Sequence, residues 1–281
     1  CIVVILLSCT SNPFFSDEEI SRKEISGYVT LSDNSSPDSV YVWFEGFNLW
    51  TYTNDSGYFS ITFSSPESQG LGRGFSGELN IYFYLANYRL DTAIVVFSNG
   101  RLSNDQKDIN KDGELIKAKE LQELLNIETF ITPSEVSAGQ RYQLKVIVKL
   151  KTFRENVIVE SFRELYEWPL TGFFRTGLIF ESVDKPILNT RFIDSPECFL
   201  FPEVLSKEME QQWVYDFTID STEFLPGKYS VFPYLIITQR NMPTQLLKSI
   251  GDSTMLDFGL EYLKLPMKRT EGLFEVLATV K

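Results

Sequence analysis

Apolar and polar residues alternate along much of the chain, and this period of two is typical of half-buried β-strands. In the clearest run, Tyr142, Leu144 and Val146 are separated by Gln143 and Lys145. The pattern predicts one face against a core and one face in solvent. Similar runs predict further strands at 25–31, 40–44, 50–53, 58–63, 79–85, 91–97, 156–162, 177–182, 188–193, 213–219, 229–238 and 274–280.

Turn residues and aromatic content also favour strands. The segment Asn54-Asp55-Ser56-Gly57 separates two apolar runs and predicts a hairpin, because Asn and Asp accept hydrogen bonds within a turn and Gly adopts a positive φ. The chain contains 23 Phe, 13 Tyr and 4 Trp residues, which is the composition of a β-rich protein. We therefore predict an all-β fold of two β-sandwich domains.

One segment has a different period. Leu115, Ala118, Leu121, Leu124 and Leu125 recur at helical spacing, which predicts a short helix of about three turns. We place this helix in a linker at 102–127 that joins a first sandwich at 25–101 to a second at 128–281.

Three motifs in the first domain resemble a known family. They are Ser26-Gly27-Tyr28-Val29, Val40-Tyr41-Val42 and Thr53-Asn54-Asp55-Ser56-Gly57-Tyr58-Phe59. In this order they resemble the carboxypeptidase regulatory-like domain. The resemblance implies a transthyretin-like β-sandwich that serves as a spacer or assembly module, without peptidase activity.

The second domain is predicted from strand spacing alone. Short strands at this spacing are typical of an immunoglobulin-like sandwich. Two insertions, at 195–212 and 241–269, exceed ordinary loop length. The second contains Tyr262, Lys264, Lys268 and Arg269, and we expect it either to present a partner surface or to cap an open edge of the sandwich.

The N-terminal residues Leu6-Leu7-Ser8-Cys9 end a short apolar run and resemble a bacterial lipobox. The resemblance implies cleavage before Cys9, a signal peptide remnant at 1–8 and a lipidated tether at 9–24. It also implies a bacterial cell-envelope protein held at a membrane, and Thr10 in place of aspartate favours the outer membrane. Cys198 would then be the only thiol of the mature chain, so no intramolecular disulfide could form.

The chain has no histidine and a net charge of −12. Without imidazole, Ser-His-Asp and Cys-His catalysis and the usual zinc sites are excluded. The acidic surface argues against nucleic acid as a partner. The catalytic chemistry left to such a chain is a pair of carboxylates, as in glycoside hydrolases, or a lysine-activated nucleophile.

One segment is similar to half of a calcium loop. Asp108, Asn110 and Asp112 occupy its first, third and fifth positions, and Gly113 follows. The twelfth position, normally a bidentate carboxylate, is Lys119. The segment is therefore a calcium candidate, with a polar turn as the alternative, and we expect no other cofactor.

Alternation within the first domain also yields a candidate binding surface. If Val40, Val42 and Phe44 face the core, neighbouring side chains point outward. The surface would comprise Tyr41, Trp43, Trp50 and Tyr52, suited to a sugar ring or a partner protein. Alternatively, the second domain or the connecting helix covers these rings.

Together, these patterns predict a non-enzymatic, lipid-anchored interaction or assembly protein, with another envelope protein or a glycan as its partner. A carbohydrate-binding surface lipoprotein is the first alternative, and a carboxylate-pair glycoside hydrolase is the second.

Overall fold

The structure is a computed structural model that describes residues 23–63, 74–103, 107–166, 172–184, 190–193, 197–207, 210–251 and 258–278. The predicted signal remnant, nearly all of the predicted tether and Cys9 lie outside these ranges. Within them, strands dominate, and the predicted all-β class is confirmed.

The first sandwich is built from two sheets, one in the order β4-β1-β8 and one in the order β3-β2-β5-β6-β7. As predicted, Val40, Val42 and Phe44 point between these sheets, where they are fully buried. The strands are β1 (Lys23–Leu31), β2 (Tyr41–Phe44), β3 (Leu49–Tyr52), β4 (Tyr58–Phe63), β5 (Gly77–Tyr84), β6 (Asp91–Ser98), β7 (Arg101–Leu102) and β8 (Lys119–Leu121).

The predicted turn at 54–57 is present, but it does not close a hairpin. The Asn54 side chain accepts hydrogen bonds from the amides of Ser56 and Tyr58, at 3.0 and 2.9 Å. Gly57 has a φ of 79°, and a Cβ there would lie 2.1 Å from the Val29 carbonyl oxygen. The flanking strands pair elsewhere, β3 with β2 and β4 with β1, so the turn carries the chain from one sheet to the other.

The helix predicted from the leucine spacing is wrong. β8 pairs in parallel with β1, and β9 begins at Leu125. Leu121 is buried in the core of the first sandwich, whereas Leu125 is buried in that of the second. The regular spacing therefore reflects leucines that pack into two different cores, not one face of a helix.

The second sandwich places the sheet β17-β11-β9 over two further sheets. These are β10-β20-β18-β14-β15 and β13-β12-β16, and β19 also pairs with β12. The strands are β9 (Leu125–Thr132), β10 (Glu135–Ser137), β11 (Arg141–Thr152), β12 (Val157–Tyr166), β13 (Gly172–Arg175), β14 (Leu178–Ser182), β15 (Arg191–Ile193), β16 (Cys198–Leu205), β17 (Glu210–Asp220), β18 (Gly227–Pro233), β19 (Leu235–Thr238) and β20 (Gly272–Leu277).

The described parts of the 241–269 insertion, 241–251 and 258–269, lie between the sandwiches. Their helix α1 (Thr244–Ile250) and their 3-10 segment Leu260–Lys264 pack against residues of both. A further 3-10 segment is Ser221–Glu223. Among the described residues, no helix combines the length and apolarity needed to span a bilayer. The junction cluster comprises Tyr41, Trp43, Tyr84, Ala86, Ile179, Phe232, Tyr234, Ile236, Leu246, Ile250, Tyr262 and Leu265.

Candidate functional site

The outer face of the first sandwich's five-stranded sheet, β3-β2-β5-β6-β7, carries rows of aromatic rings. Antiparallel register places Trp43 beside Trp50 on one side and Tyr82 on the other. Tyr41 is likewise flanked by Tyr52 and by an equivalent tyrosine of β5. Directly paired residues share one face of a sheet, so these rings form two ladders across β3, β2 and β5. Ring centroids lie 5.3 Å apart for Tyr41 and Tyr52 and 5.5 Å apart for Trp43 and Tyr82.

Burial divides the predicted aromatic surface in two. Tyr41 and Trp43 are only 1% and 3% exposed, whereas Trp50 and Tyr52 are 53% and 41% exposed. The expectation that Tyr41 and Trp43 face solvent is wrong, because they belong to the junction cluster with Leu246 of α1. The alternative, that the second domain covers the rings, is confirmed for these two.

A cleft of about 390 Å³ opens where α1 meets this sheet, and its lining includes Trp43, Glu45 and Lys248. The Trp43 indole N–H donates to Asn48 Oδ1 at 3.1 Å, which fixes the ring at the cleft wall. The exposed rings of Trp50 and Tyr52 lie on the neighbouring strand β3. This arrangement suits stacking and hydrogen bonding with a ligand or a partner.

The Tyr41 hydroxyl at this junction is suited to hydrogen bonding, not to proton transfer. The Tyr41 hydroxyl donates to Ser249 Oγ at 2.8 Å, and Ser249 donates to the Leu246 carbonyl at 2.6 Å. Burial raises the pKa of Tyr41 to about 12, although the Ser249 hydrogen bond opposes this effect. The phenol therefore stays protonated at neutral pH and ties α1 to the first sandwich.

The calcium candidates are engaged in internal contacts. Asp108 accepts hydrogen bonds from the Ile94 amide and from Lys119 Nζ, each at 2.9 Å. Burial by itself would raise the pKa of Asp108, but these two donors hold it below its ordinary value. Asn110 Oδ1 accepts from the amides of Asp112 and Glu114, each at 2.9 Å.

These contacts make the calcium-candidate segment a polar turn that is hydrogen-bonded to β6 and β8. Gly113 is required in this turn, because its φ is 91° and a Cβ would lie 2.1 Å from the Glu24 carbonyl oxygen. Within the described residues, no group of three His, Cys, Asp or Glu side chains is arranged to hold a metal ion. Calcium binding stays a prediction.

A partly buried charge network lies in the second sandwich. Glu203 Oε2 contacts Arg163 Nη2 at 2.9 Å and Arg175 Nη2 at 2.8 Å. The guanidinium of Arg163 stacks on the Phe201 ring at 4.2 Å, and that of Arg175 stacks on Trp213 at 4.0 Å. The Glu203 carboxylate therefore forms ion pairs with two guanidinium groups, each stacked on an aromatic ring, between β12, β13 and β16.

Glu123 is expected to make the stability of the protein depend on pH. Burial, with a smaller contribution from Asp33, raises its pKa from 4.5 to about 7, and Lys151 opposes the shift. A raised carboxyl pKa contributes stability that is complete below about pH 4.5 and is lost as the pH rises through 7. At this half-exposed site we expect a loss of about 1–2 kcal/mol after screening. Urea unfolding between pH 4 and 8 measures it.

The matched variant Glu123→Gln should remove this loss and be more stable than the wild type above pH 7. Equal pH dependence in the two proteins would contradict the assignment to Glu123.

Sequence reasoning did not find Gln239, and it named Tyr262 only as part of a surface or an edge cap, not as a junction residue. Gln239 accepts a hydrogen bond from the Leu90 amide at 2.8 Å and donates to the carbonyls of Ala86 and Tyr88, at 3.1 and 2.8 Å. Tyr262 donates to the Leu235 carbonyl at 2.9 Å. No local pattern marks such residues, since their partners lie up to 153 positions away.

Together, the described residues define a protein class: an all-β protein of packed sandwiches joined by a buried junction. No protein-family model and no curated protein matches the chain.

Structural matches are weak. The Pseudomonas fluorescens alkylpurine DNA glycosylase AlkC, bound to DNA with an abasic site analog, matches with a TM-score of 0.20 and 11% identity. The match covers 40% of this chain and 27% of that one. The Bacillus anthracis TIE protein matches with a TM-score of 0.22 and 8% identity, over 77% of this chain and 29% of that one. The chain thus spans less than a third of either protein.

Proposed function

We propose that this chain is a non-enzymatic, lipid-anchored protein of the bacterial cell envelope, in which two sandwiches act as one interaction or assembly module. The observation that carries the proposal is the junction cluster, in which α1 and Tyr262 bury the facing surfaces of both sandwiches. A buried apolar junction with fixed hydrogen bonds holds the two sandwiches at a constant angle. A rigid spacer or scaffold requires this property.

The anchor is supported by Leu6-Leu7-Ser8-Cys9, and Thr10 supports the outer membrane as its location. We expect a palmitate analogue to label the wild-type protein and not Cys9→Ala, because the acyl chains attach to that residue. Gel fluorescence after metabolic labelling measures this difference.

Cys198→Ala is the matched control, since Cys198 is the cysteine that lies within the described residues. It should keep full labelling. Labelling of Cys9→Ala at the wild-type level would refute the anchor, and the interaction or assembly role of the sandwiches would then be tested separately.

The finer fold names are part of the proposal. A carboxypeptidase regulatory-like first domain is supported by Gly27, where a Cβ would lie 2.5 Å from Leu115, so the Gly-x-Val motif has a packing reason. An immunoglobulin-like second domain is supported by the parallel pairing of β10 with β20 and by the three-stranded sheet β17-β11-β9 opposite them.

Carbohydrate binding is the second candidate function, and the exposed Trp50 and Tyr52 rings favour it. Their centroids lie 5.9 Å apart at 72°, so they offer two differently oriented faces beside the cleft at α1. Aromatic faces stack on sugar rings as readily as on protein side chains. The carboxylate-pair glycosidase stays an untested alternative.

A further inference from the structure

A second, larger cleft of about 1020 Å³ lies between the two sandwiches. Its lining comes from the first sandwich, from the β11–β12 turn with the start of β12, from β16, and from the end of β19 with the segment after it. Three arginines line it together with amide side chains and one half-exposed aromatic ring. The residues used below are Arg89, Arg154, Arg240, Asn156, Asn241 and Tyr82.

Two glutamines connect the segments that carry these arginines. The backbone carbonyl of Gln122 accepts a hydrogen bond from the Arg89 amide at 2.8 Å, and its side-chain oxygen accepts one from Arg154 Nη2 at 2.7 Å. Gln239 is hydrogen-bonded to the residues on both sides of Arg89 and directly precedes Arg240. The backbone segments that carry the three arginines therefore meet at this cleft, although they are far apart in sequence.

None of the three arginines is paired with a carboxylate within the described part of the chain. Within the described chain, Arg89 and Arg240 make no ion pair, and the partner of Arg154 is an uncharged amide. Among the described lining residues, Glu155 is the one carboxylate, while Glu45 and Glu160 accept hydrogen bonds from the lining residues Asn80 and Thr238. The lining itself therefore carries three cations and one anion in a chain of net charge −12. Guanidinium groups bind planar carboxylates through paired hydrogen bonds.

The rest of the lining selects among anionic ligands. Amides such as Asn156 and Asn241 can donate to and accept from hydroxyl groups. The half-exposed Tyr82 ring is backed by Trp43, with centroids 5.5 Å apart, and offers a fixed stacking face. Separate cationic, amide and aromatic positions in one long cleft match a sugar chain that carries carboxylates. A denser polyanion such as nucleic acid, with a charge per about 1.7 Å, needs more cations than the three arginines of this cleft in a chain of net charge −12.

We propose that this cleft binds an acidic glycan, with Arg89, Arg154 and Arg240 contacting its carboxylates and Tyr82 stacking on a sugar ring. The site is separate from Trp50 and Tyr52. The proposal goes beyond the anchored module and does not rest on the lipid anchor, so palmitate labelling and glycan binding can fail independently.

The test uses calorimetric titration of the full chain with oligogalacturonate, a uronic-acid oligomer. A neutral oligosaccharide of equal length is the comparison ligand. We expect the acidic oligomer to bind and the neutral one not to. Arg154→Ala and Arg240→Ala should each raise Kd about tenfold, the effect of losing one charge-assisted contact. Arg101→Ala is the matched control, since Arg101 is also exposed but does not line the cleft.

Circular dichroism on each variant separates lost binding from lost folding, because these arginines are exposed and their replacement leaves both cores intact. The proposal is overturned if oligogalacturonate does not bind, or if Arg101→Ala weakens binding as much as Arg154→Ala. It is also overturned if polyphosphate or polyglutamate binds as tightly, because the cleft would then select charge and not a sugar.

Discussion

Glu203→Gln is expected to lower the free energy of unfolding by about 2–4 kcal/mol, because it removes the charge that two partly buried arginines share. Arg163 and Arg175 have side-chain exposures of 13% and 16%, and both contact the same Glu203 oxygen. Without the carboxylate, two guanidinium groups would face each other with little access to water. Guanidinium chloride unfolding followed by circular dichroism measures the loss.

Glu210→Gln is the matched control for this change. Glu210 lies 3.7 Å from Lys149 Nζ, and both side chains are well exposed. Exposed ion pairs contribute about 0–1 kcal/mol, so this variant should be close to wild type. A loss no greater for Glu203→Gln than for Glu210→Gln would show that the network adds nothing to stability.

Leu246→Ala is expected to cost about 2–5 kcal/mol, the range for removing a fully buried leucine side chain. Leu246 is 0% exposed and lies in the junction cluster. Because the cavity forms between the sandwiches, the change should also weaken their coupling. Differential scanning calorimetry should then resolve two unfolding transitions where the wild type has one.

Leu260→Ala provides the comparison within the same insertion. Leu260 is 46% exposed, so its truncation should cost well under about 1 kcal/mol. If both leucine variants unfolded in one transition and with equal losses, the junction would not couple the sandwiches.

Most of the strand positions could be predicted from the sequence, because a period of two records which residues share a buried face. The inward direction of Val42 and Phe44 followed from this period, and so did the outward direction of Tyr41 and Trp43 relative to their own sandwich. β16 was missed, since Phe199, Phe201 and Pro202 interrupt any simple alternation.

The candidate surface was only half predictable. Alternation placed Trp43 and Trp50 on one face, yet one is 3% and the other 53% exposed. What covers Trp43 is Leu246 and its neighbours, some two hundred residues later in the chain. The arginines of the cleft likewise come together only in the tertiary structure, where Gln122 contacts Arg154 and the backbone of Arg89.

The sequence by itself determined the all-β class, the turn at 54–57 and the inner faces of the strands, since each depends on neighbouring residues. Only the tertiary structure decided that β3 and β4 belong to opposite sheets and that Leu121 and Leu125 enter different cores. It also decided that α1 and the 3-10 segment Leu260–Lys264 fill the junction. Periodicity shows that a face is apolar, but the element that buries it is chosen by long-range packing.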